Sequence, residues 1–477
     1  MGKLKYLSKN IALFSISNFV SKILVFLLVP FYTNVLTTYE YGVADVIQVT
    51  LLLLVPMITV NIGEAALRFG IEEEDNRLGI FKVGTKYVVR ASVIVAFLCM
   101  AGRGIISATG NLFDVRQDEV KWYLLLFIFL FAANAFYEFL VLYFQGCESV
   151  ETIVIGSISC TAITIILNLI FLLGLKIGLN GYIYSQIFAY ILAAAIMMYA
   201  GRFKDKTLPN DTSELEKRML EYSRPMVVYS TASWINNAVD RYFVLYMCGA
   251  AVNGVYGVAY KIPAILMVFQ RIFAQAWQLS ATKTHKDSDS DDFFSSMYRT
   301  YNSFMVIGCG FLVLIVKIVA AFLFRKDFYY AWRFVPPLLI SVIFGALTGF
   351  LGSICLAHKD SKSMGKATGI GALVNVVLNL ILIPMFSAMG AAVATGISYF
   401  TMCTLALVFV NKHVNIRVSH IRNVISYLLL VIESIVMILE LPYHIAICGV
   451  LFIVIIILYY KDFISIITVL LDKLKKN

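Results

Sequence analysis

The run Trp122–Phe144, WYLLLFIFLFAANAFYEFLVLYF, decides the fold class of this chain. Glu138 is its only charged residue, and as a helix the run is long enough to cross the hydrocarbon core of a bilayer. Comparable runs recur along all 477 residues, which are 60% hydrophobic and 14% charged, with a mean hydropathy of +0.83. Soluble domains carry about a quarter charged residues, so the composition excludes a soluble enzyme, a nucleic-acid-binding module and a disordered tail. Because the runs do not alternate as barrel strands do, we predict an all-α polytopic membrane protein.

About fourteen membrane-spanning helices are predicted from these runs, with short connections between them. The predicted spans are 11–33, 44–63, 83–101, 122–144, 152–174, 179–200, 225–247, 252–273, 300–323, 334–356, 366–386, 390–410, 422–440 and 443–460. Most of the 39 Lys and Arg residues fall in connections on the same side as the N-terminus. Because basic residues concentrate on the cytoplasmic side, both termini are expected to be cytoplasmic. No connection is long enough for a soluble domain, so the function must reside in the helices.

The sequence contains an internal repeat. Tyr41–Ala44 recurs as Tyr256–Ala259, and Leu167–Ile170 recurs as Leu378–Ile381. The matches fall at corresponding positions of two six-helix sets, so both copies have the same orientation and a cavity is expected between them. We therefore predict two pseudo-repeated six-helix lobes around a central cavity, plus two C-terminal helices. The predicted domains are an N-terminal lobe (1–200), a cytoplasmic linker (201–224), a C-terminal lobe (225–411) and two additional helices with a basic tail (412–477).

Polar residues at membrane depth indicate a binding site, because an ionisable side chain there needs a partner or a wet cavity. Deep basic residues outnumber deep acids, and Lys and Arg are natural partners of phosphate, so the cargo is predicted to be anionic. For Arg90 the alternative is a side chain that reaches the cytoplasmic surface. The candidate cargo-binding residues are Lys22, Arg241, Lys261, Arg90, Asn18, Asn236 and Asn237.

Two deep acids, Asp240 and Glu138, are candidates for binding a coupling ion. For Asp240 the alternative is a structural ion pair with another helix. Near Lys261, Pro263 removes a backbone donor and is expected to bend its helix. The sequence has no phosphate-binding P-loop motif, and its eight cysteines form no CxxC pair. We expect no metal, no cofactor and no catalytic group, and therefore not an enzyme.

Several stretches carry a family resemblance that covers about residues 5–460. They are Ser17–Lys22 with Leu27–Pro30, Leu36–Gly42 with its Glu-Tyr-Gly ending, Asp240–Arg241 with Gly254–Lys261, and Ala274–Trp277. With these stretches the chain resembles the Wzx-type polysaccharide flippases. Their superfamily also contains the multidrug and toxin extruders and the lipid II flippases.

This resemblance implies a secondary transporter that moves polyprenyl-pyrophosphate-linked oligosaccharide units from the inner to the outer leaflet for surface polysaccharide biosynthesis. It implies that Lys22, Arg241 and Lys261 hold the pyrophosphate, and that the candidate asparagines bond sugar hydroxyls. Coupling to protons or sodium is expected, with Asp240 and Glu138 as candidates. The expected location is the bacterial cytoplasmic (inner) membrane, spanned many times. The expected partners are the lipid-linked oligosaccharide, membrane lipids, a polysaccharide polymerase and glycosyltransferases, and no nucleic acid.

Three alternative functions compete with this hypothesis. A cation-coupled multidrug antiporter of the same fold typically carries an acid in its first span, where this chain has Lys22. A membrane-embedded polymerase usually needs a large outer loop, and the connections here are short. A non-transporting scaffold of a glycan assembly complex would tolerate loss of Lys22 or Arg241, whereas a flippase would not.

Overall fold

A computed structural model of the chain describes Phe26 and residues 28–109, 117–201, 212–284, 290–358 and 360–476. These residues form helices and no strand. The α-helices are α1 (Val29–Val35), α2 (Thr38–Ile58), α3 (Ile62–Glu72), α4 (Arg77–Thr109), α5 (Gln117–Gly146), α6 (Val150–Asn168), α7 (Gly178–Ala200), α8 (Ser213–Cys248), α9 (Ala250–Ala259), α10 (Pro263–Thr284), α11 (Ser290–Leu314), α12 (Val316–Leu323), α13 (Val335–Ala357), α14 (Ser361–Phe386), α15 (Ala388–Val410), α16 (His420–Leu439) and α17 (His444–Lys476). A 3₁₀ turn (Glu74–Asn76) precedes α4, a 3₁₀ helix (Lys326–Phe334) precedes α13, and α6 continues as the π-helix Leu169–Gly174.

Nine helices in the described ranges are long and apolar enough to cross a membrane, and two bent helix pairs raise the number to eleven. α17 adds a shorter apolar stretch, His444–Tyr460. The predicted span 225–247 lies within α8, and most of the predicted span 11–33 falls outside the described residues. The predicted all-α polytopic membrane fold is therefore confirmed.

Internal contacts divide the chain into two compact units. Unit 1 comprises Met1–Ile235 and Gly249–Gly254, and unit 2 comprises Asn236–Cys248 and Val255–Asn477. The continuous helix α8 therefore begins in unit 1 and ends in unit 2. The domain boundaries drawn from the sequence repeat remain predictions.

A capping box formed by Thr37 and Glu40 begins α2. The Glu40 N–H donates to Thr37 Oγ1 (3.2 Å), and the Thr37 N–H donates to Glu40 Oε2 (2.9 Å). Glu40 Oε1 also accepts from the Leu179 N–H (3.1 Å) in the first turn of α7. One glutamate thus satisfies donors that helix starts leave unpaired, which gives the glutamate of the Glu-Tyr-Gly turn a structural role.

Glycines allow a close crossing between α3 and the end of α5. A methyl group on Gly146 would lie 2.7 Å from the Leu67 carbonyl oxygen and 2.8 Å from that of Ala66. A methyl group on Gly70 would lie 3.0 Å from the carbonyl carbon of Gly146. Backbone atoms cannot rotate away as side chains do, so this contact requires residues without a side chain.

Besides the 65° bend between α11 and α12, the chain breaks at two further places. Between α2 and α3, Val60 and Asn61 adopt left-handed backbone conformations with φ of 55° and 51°. Between α9 and α10 the helix axis bends by 47°, and Pro263 is the first residue of the second half, so the bend predicted there is confirmed. Irregular backbone at membrane depth is tolerated where it is buried in protein or lines a cavity. Both breaks are therefore places to look for a site.

The α3–α5 crossing gives a test of packing in unit 1. We expect Gly146→Ala to destabilise the protein by about 1–3 kcal/mol, the usual cost of overpacking, and to lower the Tm of the purified protein in detergent. Gly104→Ala in α4 is the matched control, because an added methyl group there meets nothing within 4 Å. Alanine is favoured over glycine in helices, so the control should keep or raise the Tm. Equal Tm values for Gly146→Ala and the unmodified protein would contradict the close crossing.

Candidate functional site

Three hydroxyl groups converge on the carboxylate of Asp240, whose side chain in α8 is buried. Asp240 Oδ2 accepts hydrogen bonds from Tyr256 Oη (2.5 Å), Tyr260 Oη (2.6 Å) and Thr395 Oγ1 (3.4 Å). The Arg241 N–H donates to Oδ1 (2.9 Å). A carboxylate removed from water needs such donors. We call Asp240, Tyr256, Tyr260 and Thr395 the aspartate knot; it lies entirely in unit 2.

The spacing of the two tyrosines and the nearby break in the helix position them for this role. Tyr256 and Tyr260 are four residues apart, so they lie on one side of the helix. α9 ends at Ala259, and Tyr260 begins the irregular segment before Pro263. Their rings pack edge to face with centroids 5.4 Å apart, and their hydroxyl oxygens lie 3.0 Å apart. The broken span thus directs two phenol groups at one carboxylate.

One candidate cargo-binding cation, Arg241, contacts the aspartate knot, and another, Lys261, is the residue after Tyr260 in the chain. The Arg241 guanidinium stacks over the Tyr260 ring, 4.5 Å from its centroid. Lys261 follows Tyr260 in the broken segment, where its N–H donates to the Val258 carbonyl (2.9 Å). The structure therefore brings Arg241 to Tyr260, and the chain places Lys261 at the same break.

The candidate asparagines of α8 contact neighbouring helices of unit 2. Asn236 is buried, and its Nδ2 donates to the Thr368 carbonyl in α14 (3.4 Å). Asn237 Oδ1 accepts a hydrogen bond from Tyr399 Oη in α15 (2.6 Å). Each amide therefore helps to hold α8 against another helix. The proposed contact with sugar hydroxyls remains a prediction.

Sequence reasoning did not single out Thr395 or the hydroxyls of the two tyrosines as partners of Asp240. It also missed Asn375 and Asn379, which are buried in α14 and joined by a hydrogen bond from Asn379 Nδ2 to Asn375 Oδ1 (2.9 Å). Asn379 Oδ1 is buried without a partner among the described residues. The available signal was the four-residue spacing of polar side chains within apolar runs.

Arg90 lies in unit 1, at the anchor of the linker segment. Glu216, near the start of α8, pairs with Lys86 Nζ (2.6 Å) and Arg90 (3.7 Å), and accepts a hydrogen bond from Tyr87 Oη (3.0 Å). The hydrogen bond from Lys86 is the main cause that lowers the pKa of Glu216, and Tyr87 and Arg90 act in the same direction. Arg90 thus has a carboxylate partner, and its role as a cargo ligand remains a prediction.

The other candidates are placed as follows. Asn18 and Lys22 lie outside the described residues. Glu138 lines a cavity inside unit 1. Over the described ranges, no group of three or more His, Cys, Asp or Glu side chains is arranged to hold a metal ion.

Comparison with known sequences finds one matching family and related archaeal proteins. The family described as "Polysaccharide biosynthesis protein" matches residues 7–281, more than half of the chain. The chain is 25% identical over 223 residues to the probable low-salt glycan biosynthesis flippase of Haloferax volcanii, a match that covers 44% of this chain and 46% of that protein. It is 24% identical over 262 residues to an uncharacterized membrane protein of Methanocaldococcus jannaschii, covering 52% and 62%. The matches thus span about half the length of these relatives.

Comparison with solved structures confirms the fold. The lipid II flippase MurJ in an inward closed conformation has a TM-score of 0.69 at 15% identity, covering 95% of this chain and 100% of that chain. An inward-facing multidrug resistance MATE family transporter has a TM-score of 0.68 at 11% identity, covering 82% and 95%. Sequence identities this low establish a shared fold and leave the cargo open.

The Glu216 anchor gives a prediction with a defined pH dependence. Because the pKa of Glu216 is lower in the folded protein, its stabilisation is complete above the ordinary carboxyl pKa of about 4.3 and is lost as the pH falls through the folded value. The paired groups are partly exposed, so we expect Glu216→Gln to cost about 1 kcal/mol or less at neutral pH.

The measurement is the Tm difference between Glu216→Gln and the unmodified protein as a function of pH. We expect the difference to narrow in acid. Glu151→Gln, which changes an exposed glutamate at the start of α6, is the control and should leave the Tm unchanged. A Tm difference that stays constant down to the most acidic pH tested would contradict the ion-pair explanation.

Proposed function

The chain belongs to the polysaccharide biosynthesis protein family, as the sequence resemblance predicted, and we propose that it is a lipid-linked oligosaccharide flippase. In this proposal the protein is a secondary transporter. It moves polyprenyl-pyrophosphate-linked oligosaccharide repeat units from the inner to the outer leaflet for surface polysaccharide biosynthesis. Whatever its cargo, the chain is a multi-pass membrane protein of this family.

The observation that supports the proposal is the Arg241 guanidinium stacked on Tyr260, a hydrogen-bond donor to the buried Asp240, at the helix break that also contains Lys261. A pyrophosphate presents two anionic phosphates at membrane depth. Guanidinium groups bind phosphate with a planar fork of N–H donors, and ammonium groups bind it as a point charge. Lys22 from the first predicted span would be a third cation for the pyrophosphate. Arg90, nearer the linker, is a further candidate cation.

Asp240 is proposed to bind the coupling ion. Three hydroxyl groups compete for one of its oxygens, so a proton or a sodium ion on the carboxylate would displace some of them. Tyr260 links this change to the proposed pyrophosphate site, because its hydroxyl donates to Asp240 and its ring stacks against Arg241. Ion binding and pyrophosphate binding would then be coupled through two adjacent contacts.

The proposed setting follows from the cargo. The protein would lie in the cytoplasmic membrane with both termini in the cytoplasm. Glycosyltransferases would supply the lipid-linked unit on the inner leaflet, and a polymerase would consume it on the outer leaflet. Asn18, Asn236 and Asn237 would contact sugar hydroxyls, and the last two helices would guide the lipid tail.

The flippase proposal predicts a specific defect in a host that lacks this gene. Lipid-linked precursor should accumulate while surface polymer disappears, and the unmodified gene should restore both. Arg241→Ala, Lys261→Ala and Lys22→Ala should each lower rescue by about tenfold or more, since a hydrogen bond to a charged group contributes about 1.5–3 kcal/mol. Lys366→Ala, which changes an exposed lysine in α14, is the matched control and should rescue fully.

Two outcomes would favour other functions. A normal precursor pool together with altered sensitivity to cationic drugs would indicate the multidrug antiporter. Full rescue by all three cation variants, at normal protein abundance in the membrane, would indicate a non-transporting scaffold.

A separate prediction addresses coupling. In proteoliposomes, Asp240→Asn should abolish transport driven by an ion gradient but preserve binding of the lipid-linked cargo, because Arg241 and Lys261 remain. Asp118→Asn, which changes a fully exposed aspartate in α5, is the control and should leave both transport and cargo binding unchanged. Gradient-driven transport by Asp240→Asn at the unmodified rate would remove Asp240 from the coupling mechanism.

A further inference from the structure

Glu433 is a fully buried acid in the second half of α16, with 0% exposure. It is the only charged residue of this helix between Asn423 and Leu439. Its Oε2 lies against α11, since a methyl group on Gly310 would lie 3.3 Å from that oxygen. The same methyl group would lie 3.1 Å from the ring of Phe452 in α17. The carboxyl group is thus enclosed where three helices of unit 2 meet.

Neither carboxyl oxygen of Glu433 has a hydrogen-bond partner among the described residues. In this it differs from Asp240, Glu216 and Glu440, each of which accepts from hydroxyl or ammonium donors. Polar groups in protein interiors are nearly always hydrogen-bonded. A carboxylate removed from water without a partner is so unfavourable that such a group takes up a proton instead. The burial of Glu433 therefore requires that its negative charge be cancelled.

The groups that face Glu433 cannot cancel this charge. No described basic group interacts with it. Two buried thiols do, Cys309 of α11 and Cys448 of α17. Cys448 Sγ donates to the backbone carbonyl oxygen of Glu433 (3.5 Å), so α17 contacts the residue directly. A thiol is neutral or negative and supplies no positive charge.

The charged groups of the helices packed against α16 lie toward the helix ends. In α11, Arg299 is about 16 Å along the helix from the glycine that touches Glu433. α13, which also packs on α16, contains no charged residue. Near the start of α17, Lys317 Nζ donates to Glu440 (2.6 Å) and lies 3.2 Å from His444 Nε2. Within the described side chains, the cations near α16 are therefore held elsewhere.

We propose that Glu433 is a proton-binding site that controls the packing of α16 against α11 and α17. With the proton bound, the neutral carboxyl group fits the enclosed position. When the proton leaves, the carboxylate needs water, and the packing around it loosens to admit water. An alkali-metal ion would need several oxygen ligands, whereas the side chains that enclose Glu433 are apolar or thiols. The site is separate from Asp240 and does not rest on the flippase function.

The bound proton is read by infrared spectra of the purified full-length protein at neutral pH. We expect a protonated-carboxyl band in the parent that is absent in Glu433→Gln, because glutamine keeps the shape of the side chain and cannot titrate. Glu151→Gln, which changes an exposed glutamate at the start of α6, is the matched control and should keep the band. Glu433→Gln should keep or raise the parent Tm, since a neutral side chain suits the enclosed position. Persistence of the whole band in Glu433→Gln would overturn the proposal.

The loosening is read at Cys309 and Cys448, which flank Glu433 and have 0% exposure. Buried groups become reactive only when the packing around them opens, so the measurement is their rate of alkylation by N-ethylmaleimide, resolved by mass spectrometry. Thiols in general react faster as the pH rises. Each rate is therefore divided by that of Cys403, a buried cysteine of α15 in the same molecule.

We expect the alkylation ratio in the parent to rise by about threefold or more from mildly acidic to alkaline pH, as the proton leaves Glu433. The ratio should stay constant in Glu433→Gln. A constant ratio in the parent, or an equal rise in both proteins, would overturn the proposed control of packing. Because neither assay contains cargo, failure of the flippase proposal would leave these results intact.

Discussion

Hydrocarbon offers polar groups no hydrogen bonds, so a polar side chain at membrane depth needs a partner within the protein or in a wet cavity. In unit 1 this constraint produces a neutral cluster, in which Asn168 Nδ2 donates to Tyr32 Oη (2.8 Å) and Ser185 Oγ donates to Asn168 Oδ1 (2.9 Å). In unit 2 the same constraint is met in the aspartate knot, where tyrosine hydroxyls donate to the carboxylate of Asp240. A neutral cluster fixes helix packing in a single state. A carboxylate can gain or lose a cation, so its hydrogen-bond partners can change.

The two C-terminal helices obey the same rule. Asn302 in α11 donates to Asn423 Oδ1 (3.2 Å) in α16 and to Tyr459 Oη (3.0 Å) in α17, and Tyr427 Oη donates to Asn302 Oδ1 (2.7 Å). Near the α16–α17 turn, the hydrogen bond from Lys317 (2.6 Å) lowers the pKa of Glu440. Because apolar helices gain little from packing against each other in lipid, such polar contacts hold them together. These contacts therefore fix the two helices within unit 2.

Local features such as spans and bends were predictable from the sequence. Which side chains contact each other across long stretches of chain was not. The spans followed from apolar runs, and the bend at Pro263 followed from one missing backbone donor. Asp240 was recognisable as a deep acid. Its partner Thr395 lies 155 residues further along the chain, and no local pattern connects the two. Lys86 and Glu216 are separated by 130 residues in the same way. The cavity of unit 1 depends on the shape left between helices, which no periodicity reports.

The continuity of α8 gives a physical reason to connect the linker with the aspartate knot. This 36-residue helix is tied to α4 through Glu216 at one end and holds Asp240 toward the other. Pro225 lies between these attachments and removes one backbone hydrogen bond, so the helix bends there more easily than elsewhere. The Glu216 contacts and the Asp240 hydrogen bonds therefore act on one continuous helix, and Pro225 is its weakest point between them.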